Sequence, residues 1–332
     1  MNIGVVGAGS WGTSLANVLA KKGYPVQLWS HEAELAEYME KHRENNRYLP
    51  GINLHQNLSF TSALSEVVTH EVVLLVPPSQ VMRSVLKQAA PFFNPTAAII
   101  SASKGIENTT LELMSEVIKG ALKGQHTGKT AFLSGPTFAR EIAQELPSAA
   151  VVASAQDEVA TMARDMFSTE YFRIYSNDDV VGTEIGGALK NVIALAAGVC
   201  DGLEYGNNSR AALITRGLAE MKRVGLALGA RAETFAGLAG MGDLVLTCTG
   251  ELSRNRTVGI ALGKGKKLKD ILAQMHMVAE GVETTRSAYQ LAQKLKIDVP
   301  IINQMYAVLY DDKDPRAAVI ELMQRTLKSE YV

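Results

Sequence analysis

A chain of 332 residues, at about 150 residues per domain, has room for two domains, each long enough to bury a core of its own. Its composition is 47% hydrophobic and 20% charged with 28 glycines and 10 prolines, which excludes collagen-like, disordered and small disulfide-stapled classes. Thirty-three Lys and Arg against 34 Asp and Glu leave a net charge of −1, so no global field draws the chain to nucleic acid or anionic lipid, and any anion must meet a local site.

The sequence opens Met1-Asn2-Ile3-Gly4-Val5-Val6, with no basic stretch before an apolar core, so no signal peptide is expected. No uninterrupted apolar run reaches the ~18 residues of a membrane span. Short Val- and Ile-rich runs at 2–6, 25–30, 72–76, 97–101, 130–134, 149–153 and 172–175 read as strands, alternating with helix-period segments. Val72-Val73-Leu74-Leu75-Val76 is apolar at every position, as in a parallel strand covered on both faces. The expected N-terminal unit, residues 1–178, is therefore a doubly wound, Rossmann-like α/β domain. After Ser176-Asn177-Asp178-Asp179, long Ala-, Leu- and Gly-rich stretches take over. Helices are expected at 180–200, 208–228, 254–263, 268–275, 282–296, 301–309 and 315–327, making residues 179–332 an all-helical domain.

Gly7-Ala8-Gly9-Ser10-Trp11-Gly12 is G-x-G-x-x-G placed directly after the first strand and opening a helix. The first glycine permits the turn, the second lets the backbone approach a pyrophosphate, and the third lets helix and strand pack closely. That context predicts a dinucleotide, held at the helix N-terminus. The second strand is followed by Ser30-His31-Glu32, where Glu32 is not cleanly at the tip; His31, Arg43, Arg47 and Tyr48 could face a 2′-phosphate. The reading leans to NADPH and leaves NADH open.

Lys190 lies on an otherwise apolar helix with Leu189, Val192 and Ile193, where burial without a partner would be costly. Asp243 follows the flexible Gly240-Met241-Gly242 and reads either as a ligand-facing acid or as the N-cap before Leu244. Lys104 lies just past a strand, at the carboxyl edge where such sheets bind ligands. Ser253-Arg254-Asn255 opens a helix whose N–H groups and guanidinium suit a phosphate. The six histidines, His31, His42, His55, His70, His126 and His276, make no metal-type spacing with one another or with Cys200 and Cys248, so no metal is expected. The two cysteines are too few for a disulfide framework and have no evident activating base, which fits a reducing cytosol and argues against a thiol nucleophile.

Several ordered blocks together carry a resemblance over nearly the whole chain. They are Gly7 to Gly12, Ser103-Lys104-Gly105-Ile106-Glu107, Ser134-Gly135-Pro136-Thr137-Phe138-Ala139-x-Glu141, Glu184-x-Gly186-x-x-x-Lys190-Asn191, Gly237 to Leu244, Thr247-Cys248-Thr249, Ser253-Arg254-Asn255 and Glu280-Gly281-Val282. In these the chain resembles the bacterial-type NAD(P)-dependent glycerol-3-phosphate dehydrogenases. Val76-Pro77-Pro78-Ser79 departs mildly, since the family more often has one proline before the serine. The resemblance implies reduction of dihydroxyacetone phosphate to sn-glycerol 3-phosphate for phospholipid synthesis, in a cytoplasmic homodimer. It implies Lys190 as general acid and base, and Lys104, Gly135, Thr137, Asp243, Ser253, Arg254 and Asn255 as further substrate contacts. It implies cofactor contacts at Gly7, Gly9, Ser10, Trp11, Gly12, His31, Tyr48, Lys104, Ala139, Arg254, Val278 and Glu280.

Each of these residues also has a plainer reading: a snorkelling lysine, a turn at Gly135 to Thr137, an exposed Glu280, a Trp11 used for packing. Two alternative functions stand beside the dehydrogenase. A β-hydroxyacid or ketopantoate-type reductase would need a carboxylate site in place of the phosphate site, and a non-catalytic NAD(P) sensor would bind cofactor without turnover.

Overall fold

The computed structural model describes residues 1–275, 278–327, 329 and 330; His276 lies outside the described residues. Eight strands form one sheet: β1 (Ile3–Val6), β2 (Val26–Trp29), β3 (Leu58–Thr61), β4 (Val72–Leu75), β5 (Ala98–Ser101), β6 (Thr130–Ser134), β7 (Ser148–Ala153) and β8 (Phe172–Asn177). Their order is β3-β2-β1-β4-β5-β6-β7-β8, all neighbours parallel except β6 and β7. The strand order reverses between β1 and β4, the switch point where doubly wound sheets open a crevice at their carboxyl ends.

Alternation along the strands feeds two cores. Val72 and Leu74 pack on one face with Leu15 and Leu19, while Val73 and Leu75 pack on the other with Leu86 and Val117. Both faces are apolar, which is why β4 reads as an unbroken hydrophobic run. Seven strands fall on the expected segments. Leu58-Ser59-Phe60-Thr61 carries no such apolar run because β3 is an edge strand, with Ser59 exposed and Phe60 and Thr61 half-buried.

The helices that build the crevice are α1 (Ser10–Lys21), α2 (Ala33–His42), α3 (Met114–Ala121), α4 (Val180–Gly202), α5 (Gly206–Ala227), α6 (Asp243–Thr249), α7 (Arg254–Gly263) and α8 (Glu280–Leu295). Helix α4 is the axis of the second half. Asp179 caps it, accepting from Gly182 N at 2.8 Å with one oxygen and from Thr234 Oγ1 at 2.6 Å with the other. By length and composition α4 could cross a bilayer, with a mean hydropathy of 1.3, but 89% of that stretch is buried in protein, the position of a core helix.

Helix α7 lies against α4 at backbone contact. A Cβ on Gly259 would stand 2.1 Å from Leu195 O, and one on Gly198 would stand 2.1 Å from Arg256 O. Gly202 and Gly263 continue the same reciprocal approach one turn further along. Only small residues permit this spacing, and it fixes Arg254, the first residue of α7, relative to Lys190 on α4.

Helix α4 is also tied to the first half. Glu184 accepts from Ser115 N at the start of α3, at 2.9 Å, and burial pushes its carboxyl up to about 7. The C-terminal half is helical as expected, with Pro300–Tyr310 and Pro315–Met323 closing it; the last helix stops short of residue 327.

Replacing Gly259 by Ala should lower unfolding stability by ~1–3 kcal/mol through overpacking against α4. Denaturant unfolding reads this directly, and an unchanged midpoint would show that the helices can separate without cost.

Candidate active site

At the end of β1, the three motif glycines meet different surroundings. Gly7 adopts φ +117° against the Val76 carbonyl, and a Cβ on Gly12 would lie 1.9 Å from Gly7 O. A Cβ on Gly9 would meet nothing within 4 Å. The first and third glycines thus fold the turn, and the second leaves a bare cradle at the start of α1, where the helix dipole is positive. Beside it the Trp11 indole Nε1 is shielded from solvent with no hydrogen-bond partner among the described residues. The cradle and this idle donor fit a dinucleotide. Ala139 backs the turn, its carbonyl accepting from Ser14 Oγ at 2.9 Å.

Across the crevice, Asp243 is fully buried and holds two lysines. Lys104 Nζ, from the loop after β5, donates to Oδ2 at 2.6 Å, and Lys190 Nζ, from α4, donates to Oδ1. Lys104 also reaches Gly135 O at 3.3 Å, and Thr137 Oγ1 donates to the same carbonyl at 3.1 Å. Thr247 Oγ1 lies 3.4 Å from Asp243 Oδ1, one turn along α6. Asp243 is the first residue of α6, and Gly242 occupies the cap position. The carboxylate therefore serves the lysines, and the N-cap alternative falls away.

Lys190 is 7% exposed. Burial drives its ammonium down, Asp243 pulls it up, and the Lys104 charge pushes it down again, leaving a pKa lowered to about 7. A lysine so placed is both ammonium and amine near neutrality. Neither thiol competes with it, since burial pushes Cys200 up to about 11 and Cys248 up to about 12.

Next to Lys190, Asn191 Oδ1 accepts from Asn255 Nδ2 at 2.9 Å, and Asn255 Oδ1 accepts from Gly281 N at 3.0 Å. Asn255 thus rivets α4, α7 and α8 together, leaving its backbone N–H and one amide proton for other use. Ser253 caps α7 by accepting from Arg256 N at 3.3 Å. The Arg254 side chain is reachable from solvent but crowded by protein; desolvation lowers its pKa and Glu280 opposes the shift. Glu280 accepts from Ser79 N at 3.1 Å and Ser79 Oγ at 2.6 Å, closing a clasp between α8 and the loop after β4. Val278 lies beside it, 51% exposed.

The structure thus joins Lys104, Gly135, Thr137, Lys190 and Asp243 into one polar network, while Asn255 bonds Asn191 and Gly281 and Glu280 bonds Ser79 in two separate groups. His31 and Tyr48 lie apart, at the end of β2: His31 is exposed and Tyr48 half-buried. The Arg43 side chain, expected as a possible phosphate ligand, is turned instead to the carbonyls of His55 and Leu58, the latter at 2.7 Å. Sequence reasoning gave no role to Ser79, and none to the Asn191 side chain. Among the described residues no group of three or more His, Cys, Asp and Glu could hold a metal ion.

Filling the open face of Gly9 with a methyl group, in Gly9→Ala, should leave the melting temperature near wild type and weaken cofactor binding by about tenfold or more. Fluorescence titration with NAD(P)H measures it; unaltered affinity would remove the cradle from the cofactor site.

Family models described as the NAD-dependent glycerol-3-phosphate dehydrogenase N-terminus and C-terminus match residues 2–160 and 179–320. A curated relative from Syntrophotalea carbinolica, named glycerol-3-phosphate dehydrogenase [NAD(P)+], is 59% identical over 99% of each chain. The solved glycerol-3-phosphate dehydrogenase of Coxiella burnetii superposes with a TM-score of 0.93 at 40% identity, covering 98% of this chain and 99% of that one. A ketopantoate reductase from Ralstonia eutropha, at 14% identity, a TM-score of 0.61 and coverage of 98% and 100%, shares the fold alone. The chain belongs to the NAD-dependent glycerol-3-phosphate dehydrogenase family.

Proposed function

We propose that this chain catalyses the reversible NAD(P)H-dependent reduction of dihydroxyacetone phosphate to sn-glycerol 3-phosphate, with residues 1–178 binding the cofactor and 179–332 the substrate. The observation that carries the reading is the buried Asp243 carboxylate shared by Lys104 and Lys190. It sets a proton donor of pKa about 7 at the carboxyl edge of a dinucleotide-binding sheet. The names of the relatives supply the substrate.

The bound nicotinamide supplies the hydride to the ketone carbon. As that hydride arrives, negative charge grows on the ketone oxygen, and Lys190 Nζ gives it a proton, yielding the secondary alcohol. In the reverse direction the neutral Lys190 amine takes the hydroxyl proton. Lys104 adds a second positive charge and bridges cofactor and substrate, while Asp243 fixes both ammonium groups and accepts from a substrate hydroxyl. Gly135 and Thr137 line the same wall of the crevice.

The substrate phosphate docks at the start of α7 on Arg254, with the first-turn N–H groups and the remaining Asn255 amide proton beside it. Ser253 holds that turn. Gly7, Gly9, Ser10, Trp11, Gly12, Ala139, Val278 and Glu280 would hold the cofactor, and His31 and Tyr48 would contact its adenosine portion. The reading carries with it a cytoplasmic homodimer whose product feeds glycerophospholipid synthesis.

Lys190→Ala should bind NAD(P)H normally while the reduction rate falls by at least ~10²-fold, the share a general acid supplies. Loss of NAD(P)H absorbance on adding dihydroxyacetone phosphate reads the activity. Near-normal turnover by the variant would take the proton from Lys190, and silence of the folded, cofactor-binding wild type would point to another carbonyl substrate.

A further inference from the structure

The end of β2 carries an arrangement that neither the glycine motif nor the lysine pair explains. Glu32 stands three residues beyond Trp29, the last residue of β2, at the N-cap position of α2, with extended backbone and a side chain that makes no capping bond. This is where a dinucleotide-binding sheet presents the group that reads the adenine ribose. Two hydroxyls donate to its carboxylate, Tyr48 Oη at 2.9 Å and Ser30 Oγ at 3.3 Å, and the Arg47 guanidinium forms an ion pair with it, Nη1 at 3.4 Å. Burial alone would raise the carboxyl, but these partners outweigh it and keep its pKa below the ordinary value, so Glu32 is an anion.

The loop bearing Arg47 and Tyr48 is fastened to the glycine motif itself. Asn45 Nδ2 donates to Ala8 O at 2.9 Å and to Thr13 Oγ1 at 2.8 Å, and Asn45 Oδ1 accepts from Tyr48 N at 3.0 Å. A bound pyrophosphate would therefore place the attached ribose within reach of both charges. Arg47 is 51% exposed, with its guanidinium over the Tyr48 ring, so it can leave Glu32 without breaking a buried contact.

We propose that Glu32 and Arg47 form a charge switch that reads the ribose 2′-position and lets one site take either cofactor. With NADH, Glu32 stays paired and accepts from the 2′-hydroxyl. With NADPH, Arg47 turns from Glu32 to the 2′-phosphate and offsets the repulsion between the phosphate and the carboxylate. A carboxylate alone would repel the phosphate, and a cation alone would favour it strongly; the pair makes the choice shallow. The proposal rests on the cofactor site at Gly7 to Gly12, not on the identity of the carbonyl substrate.

Calorimetric titration of the substrate-free protein with NADH and NADPH tests it without turnover. Glu32→Gln keeps an acceptor for Tyr48 and removes the charge; NADPH should bind about tenfold tighter and NADH several-fold weaker, as like-charge repulsion is relieved. Arg47→Ala should weaken NADPH by about tenfold and leave NADH nearly unchanged. Opposite changes in the NADPH-to-NADH affinity ratio in the two variants establish the switch. Equal shifts for both cofactors, or none, would overturn it while leaving the cofactor site intact. Failure of the wild type to bind either cofactor would overturn both.

Discussion

The contact on which the site depends is the buried carboxylate of Asp243 with an ammonium group on each of its oxygens. Its partners lie 139 and 53 residues away in sequence, one on the sheet edge and one on the long central helix, so the bond exists only when both halves are folded and apposed. Two cations on one anion leave an excess positive charge in a place with little water. That is costly in stability terms, since burying charges removes more hydration than a single pair restores. It is also what draws the Lys190 pKa toward neutrality and gives the site an affinity for developing negative charge. The cost and the chemistry have the same origin.

The rest of the helical half holds this cluster in place. Asp179 fixes where α4 begins, the glycine contacts bring α7 to backbone distance, and Asn255 links three helices beside Lys190. Glu280 then ties α8 to Ser79 at the mouth of the sheet. Each link sets an orientation, and together they leave the reacting groups little freedom to drift. Pre-set donors of this kind need no rearrangement as charge appears on the substrate.

Much of the fold was legible because its signals are local. Val72 to Leu75 reads as a strand buried on both faces, and Gly7 to Gly12 reads as a phosphate turn since neighbouring residues set its chemistry. Strand β3 was missed because an edge strand exposes part of its apolar pattern. The end of α4 and the start of α5 fell within a few residues of the expected bounds. The pairing of Asp243 with Lys104 and Lys190 is not a local signal, and residue type alone allowed a helix cap instead. The same holds at the adenosine end, where the sequence offered Arg43, Arg47 and Tyr48 as phosphate ligands. Folding turns Arg43 to backbone carbonyls and gives Arg47 and Tyr48 to Glu32.

The most direct test of the central claim is the protonation of Lys190 itself, followed by nitrogen-detected NMR of the side-chain Nζ in wild type and in Asp243→Asn. The account predicts a wild-type midpoint near 7 and a lower one in the variant, because the carboxylate supplies the charge that holds the proton against burial. A midpoint near the ordinary lysine value of 10.5, or one that ignores the loss of Asp243, would contradict it.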